Sequence, residues 1–184
     1  MNYHQTNTNN PIDFPKMTLK HAKGNLLDLA EAGDFDVIVQ GCNCFNTMGA
    51  GLAREIRERY PHVARVDMLT KKGDFNKLGN WTSENVITKN GTVSFDIINA
   101  YTQFNTSMGE DVFEYTAFEL ILQKLVFHYG TKRIGLPYIG MGLAGGDKYR
   151  ILSLIQHFAQ DVDSLGGSVT LVEYKWEILT LKLP

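Results

Sequence analysis

Two stretches of this sequence strip side chains from places where chemistry can happen. GMGLAGG, residues 140–146, holds four glycines in seven positions and runs directly into Asp147 and a helical pattern. MGAG, residues 48–51, sets Gly49, Ala50 and Gly51 at the start of another helical pattern. Glycine admits backbone angles that other residues avoid and lets a ligand approach the main chain. A helix N-terminus presents unpaired N–H groups to an anion. Two such loops can grip a diphosphate from either side. Asp147 adds a carboxylate at the edge of the second loop. As a helix cap it would contribute about 1 kcal/mol, and the same setting favours the ionised form of a carboxylate, an acceptor or base rather than an acid. Either loop alone also reads as a tight turn leading into a capped helix; the pair together points to phosphate binding.

Other chemistries find less support. GMGLAG fits the letters of a dinucleotide fingerprint, but it follows a late strand and no acidic residue stands about twenty positions on at a strand end. GDFNKLGNW lacks the Gly-Lys-Ser/Thr ending of a P-loop. Cys42 and Cys44, separated by one residue, are poorly placed to bond to each other, and two thiols do not complete a zinc site. His4, His21, His62, His128 and His157 form no pair at metal-ligand spacing. Neither a metal nor an organic cofactor is implied. A net charge of −2 argues against broad capture of nucleic acid, and the pair Lys71-Lys72 reads as a solvated helix end. No apolar run approaches the roughly 20 residues of a membrane span. The N-terminus lacks a basic-then-apolar leader pattern, so the expected address is cytoplasmic, with reduced thiols.

The elements that must position the two loops follow from periodicity. MTLKHA and the continuous apolar run DVIVQ (residues 36–40) predict strands. Leu52, Ala53, Ile56 and Tyr60 recur at helical spacing, and Pro61 opens a second helical segment. ENVITK and TVSFDIINAY predict two strands around the turn at Asn90-Gly91. Residues 112–129 predict a helix ending at Gly130, RIGLP a buried strand, and Ile151, Leu154, Ile155, Phe158, Val162 and Leu165 a further helical stripe. SVTLVEY and WEILTL predict closing strands. Alternating strands and helices with one hairpin imply an α/β fold of three layers, α/β/α, with a mixed central sheet. Residues 1–16 read as a polar, flexible arm and residues 17–184 as one domain.

Three landmarks, GNLLD, GCNCFNTMGAGLA and LPYIGMGLAGGD, together with INAYTQ, resemble the macrodomains, a family that binds ADP-ribose. The likeness runs over nearly the whole chain. Its spelling is similar to the branch containing ADP-ribose 1″-phosphate phosphatases and ADP-ribosyl-glutamate hydrolases. The resemblance implies that Gly49, Ala50 and Gly51 on one side and Gly140, Met141, Gly142 and Leu143 on the other cradle the phosphates. It places Asn43 and Met48 beside the distal ribose, with Tyr101 and Gln103 lining the same pocket. Asn25 and Leu26 fall at the adenine end, where the family usually has Asp in place of Asn25. An amide carbonyl there can accept from the adenine amino group, without charge assistance, and Asp28 reads as an exposed residue of the first helix.

The resemblance also implies chemistry. Asp147 would orient or activate water at the distal ribose, with ADP-ribose 1″-phosphate the preferred substrate. In the ester hydrolases of this branch a lysine attacks the anomeric carbon, and Lys77 of NKLGN holds the corresponding general place; the residue type alone predicts a solvated surface lysine. Where some phosphatase members have His at the end of the second strand, Gln40 stands, and glutamine cannot shuttle protons. Three functions stay open at this point: a phosphatase, a hydrolase removing ADP-ribose from a protein carboxylate or DNA through Lys77, and a non-catalytic reader or scavenger. The partner is ADP-ribose or a derivative, with an ADP-ribosylated protein as its macromolecular form.

Overall fold

Six strands lie in the order β1-β6-β5-β2-β4-β3 in the computed structural model, which describes residues 18–106 and 112–174. They are β1 (Leu19–Lys23), β2 (Val37–Asn43), β3 (Trp81–Ile87), β4 (Ser94–Gln103), β5 (Arg133–Leu136) and β6 (Ser168–Glu173). All neighbours pair parallel except β3, which runs antiparallel to β4 at one edge. The sheet is therefore mixed. The residues expected as an N-terminal arm and the expected strand WEILTL lie outside the described residues.

β2 is buried along almost its whole length because it sits between β5 and β4 and is covered on both faces. Its alternate residues feed two cores. Val37 and Val39 join α4 (Tyr115–Tyr129) and α5 (Lys148–Ser164), where Phe118, Ile121, Leu125, Ile155 and Phe158 are buried. Ile38 joins the opposite core, formed with α1 (Leu26–Glu31), α2 (Gly51–Arg59) and α3 (Pro61–Met68). Both faces of the sheet are thus layered with helix, the three-layer α/β/α arrangement expected. No helix among the described residues is long and apolar enough to cross a membrane.

Several strand ends differ from the sequence expectation, and each difference reflects pairing. β2 continues past Gln40 through Asn43 because β4 keeps pairing with it, to Cys42 against Tyr101 and, after a shift of register, Asn43 against Gln103. β3 begins at Trp81, not Glu84, because β4 supplies partners that far. The hairpin turn lies where Asn90-Gly91 predicted it, with Gly91 at φ +71° and its N–H donating to the Thr88 carbonyl at 2.8 Å. The shift of register leaves Thr102 of β4 as an extra residue opposite the step from Cys42 to Asn43, a bulge at the carboxyl ends of these two strands.

Candidate functional site

A cleft of about 520 Å³ opens at the carboxyl ends of β2, β4 and β5, the end at which open α/β sheets collect ligands. Its walls are the two glycine loops. Gly49, Ala50 and Gly51, with Leu52 and Ala53 behind them, form one side. Gly140, Gly142 and Leu143 form the other, and Asn43 and Gln103 lie between.

The α2 side is a row of unused donors. Ala50 is the N-cap residue of α2 and makes no side-chain cap bond. The first N–H of that turn to find a backbone acceptor is that of Arg54, on Ala50 at 3.2 Å. Those of Gly49, Gly51, Leu52 and Ala53 have no backbone acceptor among the described residues. On the other side the N–H groups of Met141, Gly145 and Gly146 are spent within the loop, on Tyr138, Gly142 and Gly140. Those of Gly140, Gly142 and Leu143 are not so used among the described residues.

The glycines divide by what a side chain would meet. At Gly140, φ +76°, a Cβ would stand 2.4 Å from the Phe113 ring, and at Gly146 one would stand 2.7 Å from Ile151. These two are required by packing. At Gly49 and Gly142 a Cβ would meet nothing within 4 Å, and neither residue has positive φ. Nothing within the described chain demands glycine there; a side chain would simply project into space at the cleft.

Asn43 both borders the cleft and holds its own loop. Its Nδ2 donates to the Thr47 carbonyl at 3.0 Å and its Oδ1 accepts from the Phe45 N–H at 2.9 Å, a side-chain turn of the kind Asn favours. Gln103 lines the cleft and its Nε2 donates to the Asn105 carbonyl at 2.8 Å.

Other residues expected at the site are not among those lining this cleft. Met48 is buried in the core with Ile56, Tyr60 and Val63, and Met141 packs against the opposite core. Tyr101 is 2% exposed; its hydroxyl donates to Asp67 Oδ1 at 2.7 Å, and burial pushes the phenol up from its ordinary pKa. Leu26 is a core residue of α1. Asn25 caps α1, its Oδ1 accepting from the N–H of Leu27 at 2.8 Å and of Asp28 at 3.3 Å, while its Nδ2 donates to Glu55 at 2.7 Å. The carbonyl expected to face adenine is therefore committed to the helix. Asp28 is exposed and pairs with Arg59 at 2.6 Å.

Both residues expected to carry chemistry have structural partners. Asp147 is exposed and caps α5, its Oδ1 accepting from the Arg150 N–H at 2.8 Å while its own N–H donates to Tyr115 at 2.7 Å; it is outside the cleft lining. Lys77 is 7% exposed, not the solvated surface lysine its residue type predicts. Its Nζ donates to Asn46 Oδ1 at 3.0 Å and to the Cys44 carbonyl at 3.3 Å, lies 3.5 Å from Asp67 Oδ1, and stands 4.3 Å over the Tyr101 ring. It too is outside the lining. Cys42 and Cys44 are buried free thiols, pushed up in pKa first of all by desolvation. Among the described residues no group of three His, Cys, Asp or Glu side chains could hold a metal ion.

Sequence reasoning did not name Gln40, Thr47, Thr102, Thr106 or Tyr138 as lining residues, yet each lines the cleft. Apart from Gln40, which is mid-strand in β2, their common signal is position, near or just beyond the carboxyl end of a strand. Tyr138 is the one ionisable side chain among the described lining residues.

The fold defined by this sheet order and these paired loops is that of the macrodomains. Over 85% of this chain and 97% of the other, it matches the macrodomain of Thermus aquaticus DarG with a TM-score of 0.60 at 19% identity. It matches Thermosipho africanus DarTG, solved in complex with ADP-ribose, with a TM-score of 0.61 at 17% identity, covering 84% of this chain and 41% of that one. A Trypanosoma brucei macrodomain solved with ADP gives 0.59 at 16% identity, covering 86% and 64%. No family model matches the chain. In sequence it is 30% identical over 170 residues, 89% of this chain and 99% of the other, to the uncharacterized 17.5 kDa protein of the tk-vs intergenic region of Enterobacteria phage T4. The chain belongs to the family of that phage protein, with a macrodomain fold.

Proposed function

We propose that this chain binds ADP-ribose or a close derivative in the cleft, with the diphosphate held by main-chain N–H groups of the two glycine loops. The observation that carries this reading is the state of Gly49 and Gly142: both line the cleft, and neither is glycine for any reason of packing or backbone angle. A bare backbone at those positions serves a ligand that lies against it. The uncapped first turn of α2 supports the same reading, since its unused donors and the helix dipole favour an anion. A DarTG solved with ADP-ribose and a macrodomain solved with ADP share the fold. Binding without turnover, as in a reader or scavenger of ADP-ribose or ADP-ribosylated protein, is the form of the proposal that these main-chain donors support directly.

The test is calorimetry with free ADP-ribose on the wild-type chain and on Gly142→Val. A valine there enters open space, so stability should stay within about 0.5 kcal/mol of wild type. Affinity should fall by at least tenfold, about 1.4 kcal/mol or more, because the side chain occupies the ligand's place. Equal affinities, or no binding by the wild-type chain, would reject the reading.

One observation favours a second reading, in which the chain is a hydrolase of ADP-ribose 1″-phosphate: Asp147 uses Oδ1 for the cap and remains exposed where the glycine loop ends. Product assays on ADP-ribose 1″-phosphate, ADP-ribosyl-protein and ADP-ribosyl-DNA, side by side, separate this from binding alone and from the covalent route through Lys77.

A further inference from the structure

Gln40, the fourth residue of β2, lies in the floor of the cleft on the face that carries α2 and α3. It is 2% exposed. Its Nε2 donates to Asn99 Oδ1 at 2.7 Å. The orientation of this pair is fixed from below: Asn99 Nδ2 donates to the Val63 carbonyl at 3.2 Å and to Thr82 Oγ1 at 3.1 Å. A backbone carbonyl can only accept, so Asn99 must turn its amide toward Val63 and its oxygen toward Gln40. Gln40 in turn must present its amide to Asn99, which leaves Oε1 on the other side. Oε1 is buried and has no hydrogen-bond partner among the described residues. Leaving a buried carbonyl oxygen unpaired is costly, and native chains rarely do so without a reason.

We infer that Gln40 Oε1 is a specificity determinant that accepts a hydrogen bond from a ribose hydroxyl of the bound ligand. The inference rests on the reading that the cleft holds ADP-ribose. The glycine loops offer donors, which suit the phosphates. An ionised phosphate has only acceptors, so it cannot satisfy Gln40 and is repelled by it. The ligand groups adjacent to a diphosphate that can donate are the hydroxyls of the flanking riboses. Gln40 borders the same cleft as Gly49, Gly51, Leu52 and Ala53, which carry the row of donors. It therefore reads a free hydroxyl on a ribose flanking the diphosphate and disfavours a phosphate ester at that hydroxyl.

The experiment uses the wild-type chain, Gln40→Met, and a panel of ADP-ribose analogues each lacking one ribose hydroxyl. Binding is measured by calorimetry, and each protein's melting temperature is recorded. One deoxy analogue should bind wild type about tenfold to a hundredfold more weakly than ADP-ribose, since it leaves the buried oxygen unpaired. Gln40→Met should erase that one difference and leave the responses to the other analogues in place. If every deoxy analogue binds wild type within about twofold of ADP-ribose, or if Gln40→Met keeps the full discrimination, Gln40 reads no hydroxyl and the inference falls, while ADP-ribose binding stands. The wild-type panel decides the matter even if Gln40→Met fails to fold, because it needs no variant. Failure of wild type to bind ADP-ribose at all would overturn the functional reading and this inference with it.

Discussion

Replacing Lys77 by Met separates two roles that the same residue could play. In the structure Lys77 and Asp67 have 8% and 2% of their side chains exposed, with Nζ 3.5 Å from Oδ1. Asp67 lies on α3, Lys77 ends a 3-10 turn (Phe75–Lys77), and Asn46, which also receives Nζ, belongs to the loop after β2. The pair thus ties three segments together behind the cleft. Removing the ammonium leaves the Asp67 carboxylate buried with the Tyr101 hydroxyl as its remaining side-chain partner. Breaking one half of a buried pair costs about 3–5 kcal/mol. In a chain of this size each kcal/mol lowers the melting temperature by about 2–4 °C, so Lys77→Met should melt about 6–20 °C below wild type. Asp67→Leu combined with Lys77→Met should recover much of this, because an apolar pair carries no desolvation penalty. Recovery stays incomplete, since Tyr101 then loses its acceptor. The assay is thermal and urea denaturation of the three variants and wild type, with ADP-ribose affinity measured well below each melting point. A Lys77→Met protein that melts within about 2 °C of wild type, while losing turnover or ligand, would refute the structural role and return Lys77 to the chemistry.

Asp147→Ala should cost about 1 kcal/mol through loss of the α5 cap, with ADP-ribose affinity unchanged; an unchanged melt with lost turnover would instead make Asp147 part of a reaction. Gly140→Ala should destabilise by about 1–3 kcal/mol, since its φ is +76° and its Cβ would press on Phe113, and a melt equal to wild type would contradict that geometry. Asp36→Asn removes a two-pronged pair with Arg133, whose Nη2 and Nε reach the two carboxylate oxygens at 2.7 and 3.1 Å. Hydrogen bonding from Arg133 holds the Asp36 carboxyl below its ordinary pKa. The pair's contribution is therefore fully present above the ordinary Asp value of about 3.9 and is lost as pH falls through the lowered native value. The group is partly exposed, so solvent screening limits the loss at pH 7 to about 1 kcal/mol; urea melts of both proteins should converge toward pH 2, and a gap that persists there would show that packing, not charge, is responsible.

What the sequence discloses here is whatever depends on neighbours in the chain. DVIVQ is legible as a buried strand because its apolar run is continuous, and α5 is legible because Ile151, Ile155, Phe158 and Val162 recur at helical spacing and all become buried. What escapes depends on partners far along the chain. Lys77 reads as solvated until Asp67 and Tyr101, ten positions before it and twenty-four after it, enclose it. Simple alternation would put Tyr101 and Gln103 on one face of β4, but the shift of register between them, a matter of pairing with β2, separates Gln103 in the cleft from Tyr101 sealed against Asp67. Asn25 has the right place for adenine in the letters, yet its carbonyl is taken by α1.

The glycine loops carry the same lesson to the level of function. In the string GMGLAGGD nothing distinguishes one glycine from another, and the whole stretch reads as a phosphate loop or as a turn. Packing separates them: Gly140 and Gly146 are fixed by Phe113 and Ile151, whereas Gly142 is free of any such demand. The two helix starts divide in the same way. α5 has its anion built in, the Asp147 carboxylate, while α2 has none. A second negative charge brought to the cleft is therefore better received at the α2 side, where donors are unused, than at α5, where the Asp147 charge opposes it. The diphosphate should lie closer to Gly49 and Gly51 than to the start of α5, with the Gly142 side closing over it as a wall rather than acting as the principal anion site.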